Sequence, residues 1–204
     1  MRIYLEGGGD HKNTKRPFRK AFDVFLKELK DRAGEKQGGL RVIPCGGRSS
    51  AFADYKTALR SHPEALNLLL VDSEAPVTCA SPWQHLRDRP GDNWDNPGVE
   101  DKHCHLMVQT MEAWLIADPE KLAEYYGQGF NANALPRNPN VEEVDKCALG
   151  DAMDGATRNT RKGRYHKTRH APEILERIRP NEVRVKAKFC ERLFSTLLRE
   201  IEAT

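Results

Sequence analysis

The chain has 204 residues, 38% of them hydrophobic and 31% charged, with a formal net charge of +3. This fits a soluble globular protein with a well-wetted surface, large enough for one α/β domain with a helical appendage or for two small domains. No apolar run approaches ~18 residues, which argues against a membrane-spanning helix, and the opening MRIYLEGGGD lacks a signal-type apolar stretch, so a cytoplasmic location is expected.

Residues 2–6 carry apolar side chains at Ile3 and Leu5 and read as a first strand, which ends in Glu6 and then three glycines, Gly7, Gly8 and Gly9. Phe18, Ala21, Phe22, Phe25, Leu26 and Leu29 recur at helical spacing and predict a helix from Pro17 to Arg32. LRVIPCGG, 40–47, is a second short strand closed by Pro44 and the Gly46-Gly47 turn, and Ser49-Ser50 are expected to cap a helix over AFADYKTALRSH. ALNLLLVDSE, 65–74, is continuously apolar before its acids, as suits a strand buried on both faces of a parallel sheet.

Residues 75–101, rich in Pro, Gly, Asp and Asn, are expected to form an irregular loop in which Trp83 and Trp94 mark a lid or an interface. KHCHLMVQT follows as a fourth strand, and MEAWLIADPEKLAEYYG as a helix or helix pair, with Pro119 starting its second part. Residues 128–140 read as loop and the remainder as helical. The order β-α-β-α-β-loop-β-α predicts an α/β fold: a mostly parallel sheet flanked by helices, with an α/β core over 1–127 and a helical C-terminal extension over 128–204.

Five scattered cysteines offer no CxxC pair for zinc or redox work and read as reduced thiols. His103 and His105 would share one strand face with Cys104 on the other, which disfavours one ion held by all three. The chain has neither a Walker loop nor a GxSxG elbow.

The acids are more informative. Ligands of open α/β sheets bind at the carboxyl ends of the strands, where Glu6 ends the first strand and Asp72 and Glu74 end the third. Alternation along an extended segment would point Asp72 and Glu74 to one side, a pattern suited to Mg²⁺, which binds a few carboxylates and leaves room for substrate phosphates. The glycines would then clear space beside Glu6, with their amides facing a phosphate. The plain alternative is a strand end that caps a helix or enters a solvated loop.

These motifs resemble the Toprim superfamily, known from topoisomerases, bacterial primases and OLD-type nucleases: YLEGGGD stands for its glutamate motif and LLLVDSE for its Asp-x-Asp motif, with Asp72 66 positions after Glu6. More narrowly, LEGGGD, LLLVDSE, HLMVQTMEAWLIADPEKLAEYYG and GRYHKTRHAPEILERI resemble a bacterial Toprim-like group, the uncharacterised-domain family 4276 (DUF4276), over most of the chain. The resemblance implies a Toprim-like Rossmannoid sheet, acid/base or metal-binding work for Glu6, and Mg²⁺ binding, with Mn²⁺ as an alternative, by Asp72 and Glu74. Glu74 departs from the superfamily's usual Asp, which shifts the inferred geometry by about one methylene. Glu112 is a further candidate metal ligand, its alternative being an acid placed to suit a helix dipole, and Gln109 is a candidate for substrate hydrogen bonding.

Arg48, at the end of the second strand, could hold a phosphate, pair with Asp72 or simply be a surface arginine. TRNTRKGRYHKTRH, 157–170, carries six Lys or Arg and no acid, with Tyr165 as a base-stacking face; Lys162 and Lys167 are the candidates for contacting phosphate near the metal. A solvated charged loop is the bland alternative. The expected function is a Mg²⁺-dependent phosphodiesterase or nuclease acting on DNA or RNA, and the resemblance adds antiphage defence with an ATPase partner. A metal- or nucleotide-binding regulatory subunit and an enzyme of small phosphorylated molecules are the alternatives. Homo-oligomerisation is left open.

Overall fold

Six consecutive buried residues, Asn67–Asp72, form β3 at the centre of a four-stranded parallel sheet in the computed structural model, which describes residues 1–9 and 11–203. β1 (Arg2–Glu6) lies beside it, β2 (Arg41–Gly46) pairs with the outer side of β1, and β4 (Cys104–Met107) pairs with β3, giving the order β2-β1-β3-β4. The α/β fold with helices on both faces and at the C-terminal end is therefore as expected.

Side chains alternate between two cores, as the strand period requires. Ile3, Leu5, Leu68, Leu70 and Met107 pack into one, against α1 (Lys12–Phe25), α2 (Lys27–Glu35), α5 (Glu112–Ile116) and α10 (Lys188–Glu202). Trp114 stacks on Phe25 there, with centroids 5.6 Å apart, and Phe194 meets Phe25 edge-on. Tyr4, Leu69, Val71 and Leu106 face the other core, against α3 (Arg48–Ser61) and α4 (Pro82–Asp88). The rest of the chain adds α6 (Pro119–Tyr126), α7 (Lys146–Thr157), α8 (His170–Leu175) and α9 (Pro180–Lys186). Among the described residues no helix is long and apolar enough to cross a membrane.

Four local expectations are corrected. The first helix begins at Lys12 and breaks at Leu26, placing Pro17 inside it, where only the carbonyl of the exposed Asn13 loses a helical donor. Pro44 lies within β2 and does not close it; β2 is an edge strand, where a missing N–H is tolerated. Gly47, and neither Ser49 nor Ser50, is the N-cap of α3, so Arg48 opens that helix. The 75–101 segment is not wholly irregular: Ser81 accepts from the Gln84 N–H and Pro82 takes the first helical position, a start signal for α4.

Candidate metal centre

The chain runs from β1 outward to β2 and then crosses back to β3 on the other side of β1, so the strand order reverses between β1 and β3. Open sheets offer a crevice at the carboxyl ends of such a pair. Glu6 and Asp72 are the last residues of these two strands, and the Asp72 N–H donates to Glu6 Oε2 at 3.1 Å. Ligand oxygens of Glu6, Asp72 and Glu74 all lie within 4.8 Å of one another.

The route of Glu74 into the cluster differs from the expected alternation. β3 ends at Asp72, and Glu74 has φ +62°, a left-handed conformation that a glutamate seldom adopts. Its N–H donates to the Gln109 carbonyl at 2.8 Å, which ties this turn to the segment after β4. The acids converge through a turn held from a neighbouring strand, not through extended alternation.

Each carboxylate faces a cation of the same chain. Arg48 donates to Glu6 Oε2 at 3.0 Å, Lys167 Nζ lies 3.4 Å from Asp72 Oδ2, and Lys146 pairs with Glu74. The Met111 N–H donates to Asp72 Oδ1 at 2.9 Å. Asp72 is 3% exposed, and burial, opposed by Lys167, pushes its carboxyl up to about 7. Burial also raises Glu6, against the pull of Arg48. For Lys167, burial works against the charge, but Asp72 and Glu112 outweigh it and hold the ammonium on.

Arg48 is neither a surface residue nor free for phosphate. Its guanidinium makes a bidentate pair with Asp92, at 2.7 and 2.5 Å, and reaches the Asp72 carbonyl instead of the expected Asp72 carboxylate. Trp94 covers the guanidinium, with Cζ 4.9 Å from the ring centroid, and stacks on Phe52 at 4.3 Å. Trp83 is a buried packing residue.

The glycines work partly as expected. Gly7 has φ +122°, and a Cβ there would fall 2.6 Å from the Phe18 ring. Its N–H is engaged by the Gly46 carbonyl at 2.8 Å, so this amide does not face a phosphate. That bridge follows a register shift in which Leu5 pairs with Pro44 and Glu6 with Gly46, leaving Cys45 unpaired as a bulge. Gly7, Gly8 and Gly9 line a cavity of about 290 Å³ beside Glu6 and Asp72.

Glu112 stands outside the close carboxylate trio: it accepts from Tyr165 Oη at 2.9 Å and lies 3.7 Å from Lys167 Nζ. Gln109 is buried, and its Oε1 accepts from the Lys146 N–H at 3.2 Å, fixing the start of α7. Within the basic segment, Lys167 reaches the acids, whereas Lys162 lies over the Tyr125 ring at 4.5 Å. Tyr165 is half-buried, packs against the core and donates its hydroxyl to Glu112. Lys146 and Asp92 belong to the site, but Asp92 lies in an irregular segment and Lys146 opens a helix, and neither position gave a signal in the sequence.

The oxygen-only donor set suits a hard divalent cation such as Mg²⁺ or Mn²⁺. The side chains of Lys146 and Lys167 are 47% and 56% exposed and can swing aside, while that of Arg48, 13% exposed, is fixed. One oxygen each of Glu6 and Glu74 accepts no hydrogen bond from the described residues.

A family model described as a domain of unknown function, DUF4276, matches residues 5–198. Neither a curated protein nor a solved structure matches the chain.

Proposed function

The chain belongs to the DUF4276 family, and from the site its domain carries we propose that it is a Mg²⁺-dependent phosphodiesterase acting on nucleic acid, with Mn²⁺ as an alternative ion. The observation behind this reading is the convergence of Glu6, Asp72 and Glu74 within 4.8 Å, beside a cavity that Lys167 of the basic segment also lines. A divalent ion held by these three acids would supply Lewis-acid stabilisation of charge on a phosphoryl group. Glu6 keeps one oxygen for an ion or a proton while Arg48 fixes the other. Lys167 is placed to exchange a carboxylate partner for a substrate phosphate, and Tyr165 keeps Glu112 oriented toward it.

Cleavage of labelled single- and double-stranded DNA and RNA, with Mg²⁺, Mn²⁺ or EDTA, tests this. Metal-dependent cleavage should be lost in folded Glu6→Gln and Asp72→Asn; cleavage that survives either substitution places the chemistry elsewhere.

The pairing of every acid with a cation favours a second reading, a metal- or nucleotide-binding subunit whose site stays closed until a partner opens it. Metal binding without cleavage by the isolated chain would select it. The Toprim resemblance supplies the kind of partner, an ATPase in antiphage defence.

A further inference from the structure

We infer that the cavity beside Glu6 and Asp72 seats one nucleotide unit of a single-stranded nucleic acid; this rests on the metal-dependent reading above. The cavity is amphipathic. Glu6, Asp72 and Lys167 form its charged end, and Phe18, Met107, Met111 and Pro172 form an apolar wall. A site for a bare phosphate needs no such wall. A nucleotide matches this mixed lining, with its phosphate toward the carboxylates and their ion and its base toward the apolar side chains, of which Phe18, Met107 and Met111 bring only their edges to the cavity.

Size limits the occupant. About 290 Å³ is at the small end of ligand sites, which run from about 300 to 1,000 Å³. One nucleotide is accommodated, whereas a continuous duplex, with a major groove alone about 12 Å wide, is not. A paired base would first have to leave its stack.

Exposed cations stand close in sequence to two of the lining residues. Thr14, on α1, and Thr168, just before α8, both line the cavity. Lys12 and Arg16 stand two residues before and after Thr14 on α1, and Arg169 follows Thr168; all three are exposed and have no carboxylate partner among the described residues. The first turn of α1 holds no acid and begins with a cation, Lys12, a placement that a helix N-terminus disfavours.

The test uses Thr168→Trp, a change at an exposed rim position that narrows the cavity without touching the acids, and a Lys12→Glu/Arg16→Glu double variant, also at exposed positions. Calorimetry first measures Mn²⁺ binding to wild type and variants. Fluorescence anisotropy in Ca²⁺ then measures a labelled single strand of about 12 nucleotides, the span of a typical single-strand site, against a blunt hairpin duplex, with a nucleoside monophosphate as competitor. The expected result is unchanged Mn²⁺ binding in every variant and a single strand preferred by about tenfold, a preference of the size one stacked base supplies. Thr168→Trp should abolish that preference, and the double variant should weaken binding and flatten its salt dependence. If Mn²⁺ binds but the duplex binds as well as the strand, or Thr168→Trp changes nothing, the inference is overturned and the metal reading stands. A monophosphate that competes as strongly as the strand reassigns the cavity to free nucleotides and overturns it too. Failure of wild type to bind Mn²⁺ overturns the metal reading and this inference together.

Discussion

Lys167 Nζ lies between two carboxylates, 3.4 Å from Asp72 Oδ2 and 3.7 Å from Glu112 Oε2, although 95 residues separate it from Asp72. The ammonium therefore occupies the place where a divalent cation would draw on Asp72, and it also borders the cavity. Lys167→Met should bind Mn²⁺ about tenfold more tightly, because a competing positive charge a few ångströms away is gone, while cleavage falls about 10²-fold for want of a phosphate contact. Calorimetry and single-turnover cleavage on the same preparation check this; parallel losses in both would mark Lys167 as merely structural.

Arg48→Lys keeps the charge but not the fork that grips Asp92 while reaching Glu6. Lysine cannot span both partners. The variant should lose about 2 kcal/mol of stability and, with Trp94 no longer covered by a guanidinium, shift its tryptophan emission. Thermal unfolding followed by fluorescence reads both effects.

Gly7→Ala would place a methyl 2.6 Å from the Phe18 ring at φ +122°. A loss of about 2–3 kcal/mol is expected from combined strain and overpacking. Gly34, inside α2 with open space around it, provides the contrast: Gly34→Ala should gain about 0.5–1 kcal/mol from helix propensity. Chemical denaturation of the two variants measures the difference.

Glu142, 6% exposed, accepts the Phe189 N–H at 2.8 Å in the first turn of α10, and burial pushes its carboxyl up to about 7. A raised carboxyl pKa means that the folded state holds the proton more tightly. Stability from this group is complete below the unfolded value of roughly 4.3 and is lost as pH rises through about 7. Glu142→Gln, which can still accept the bond, should therefore match wild type at about pH 4 and exceed it by ~2 kcal/mol at about pH 8. Urea melts across this range test the sign.

The strands that carry Glu6 and Asp72 were legible because their apolar runs stop at acids, and their alternation with helices pointed to a parallel sheet, whereas the order β2-β1-β3-β4 came only from the structure. The position of Arg48 was legible too, from its place after β2, but its partner was not: Asp92 lies in a segment without periodicity, and nothing local says that it folds back 44 residues to meet the guanidinium. Lys167 stood out within an acid-free run, whereas Lys146 is one lysine among many and gains its meaning only when α7 starts beside Gln109. The glycine tract was read as a phosphate cradle; the structure gives Gly7 a packing and bulge role that depends on Phe18 and Gly46, neither visible as a neighbour in sequence.

The order of the charges along the chain bears on biosynthesis. Glu6, Asp72 and Glu74 leave the ribosome before Lys146 and Lys167, while a domain generally folds as a unit. Until synthesis reaches α7, Arg48 is the sole counter-charge available from the three cations that pair with these acids. Asp72 and Glu74 are thus neutralised from the C-terminal half and Glu6 from the N-terminal half, so a chain truncated before α7 would lose two of the three counter-charges together with the α10 side chains that complete the core.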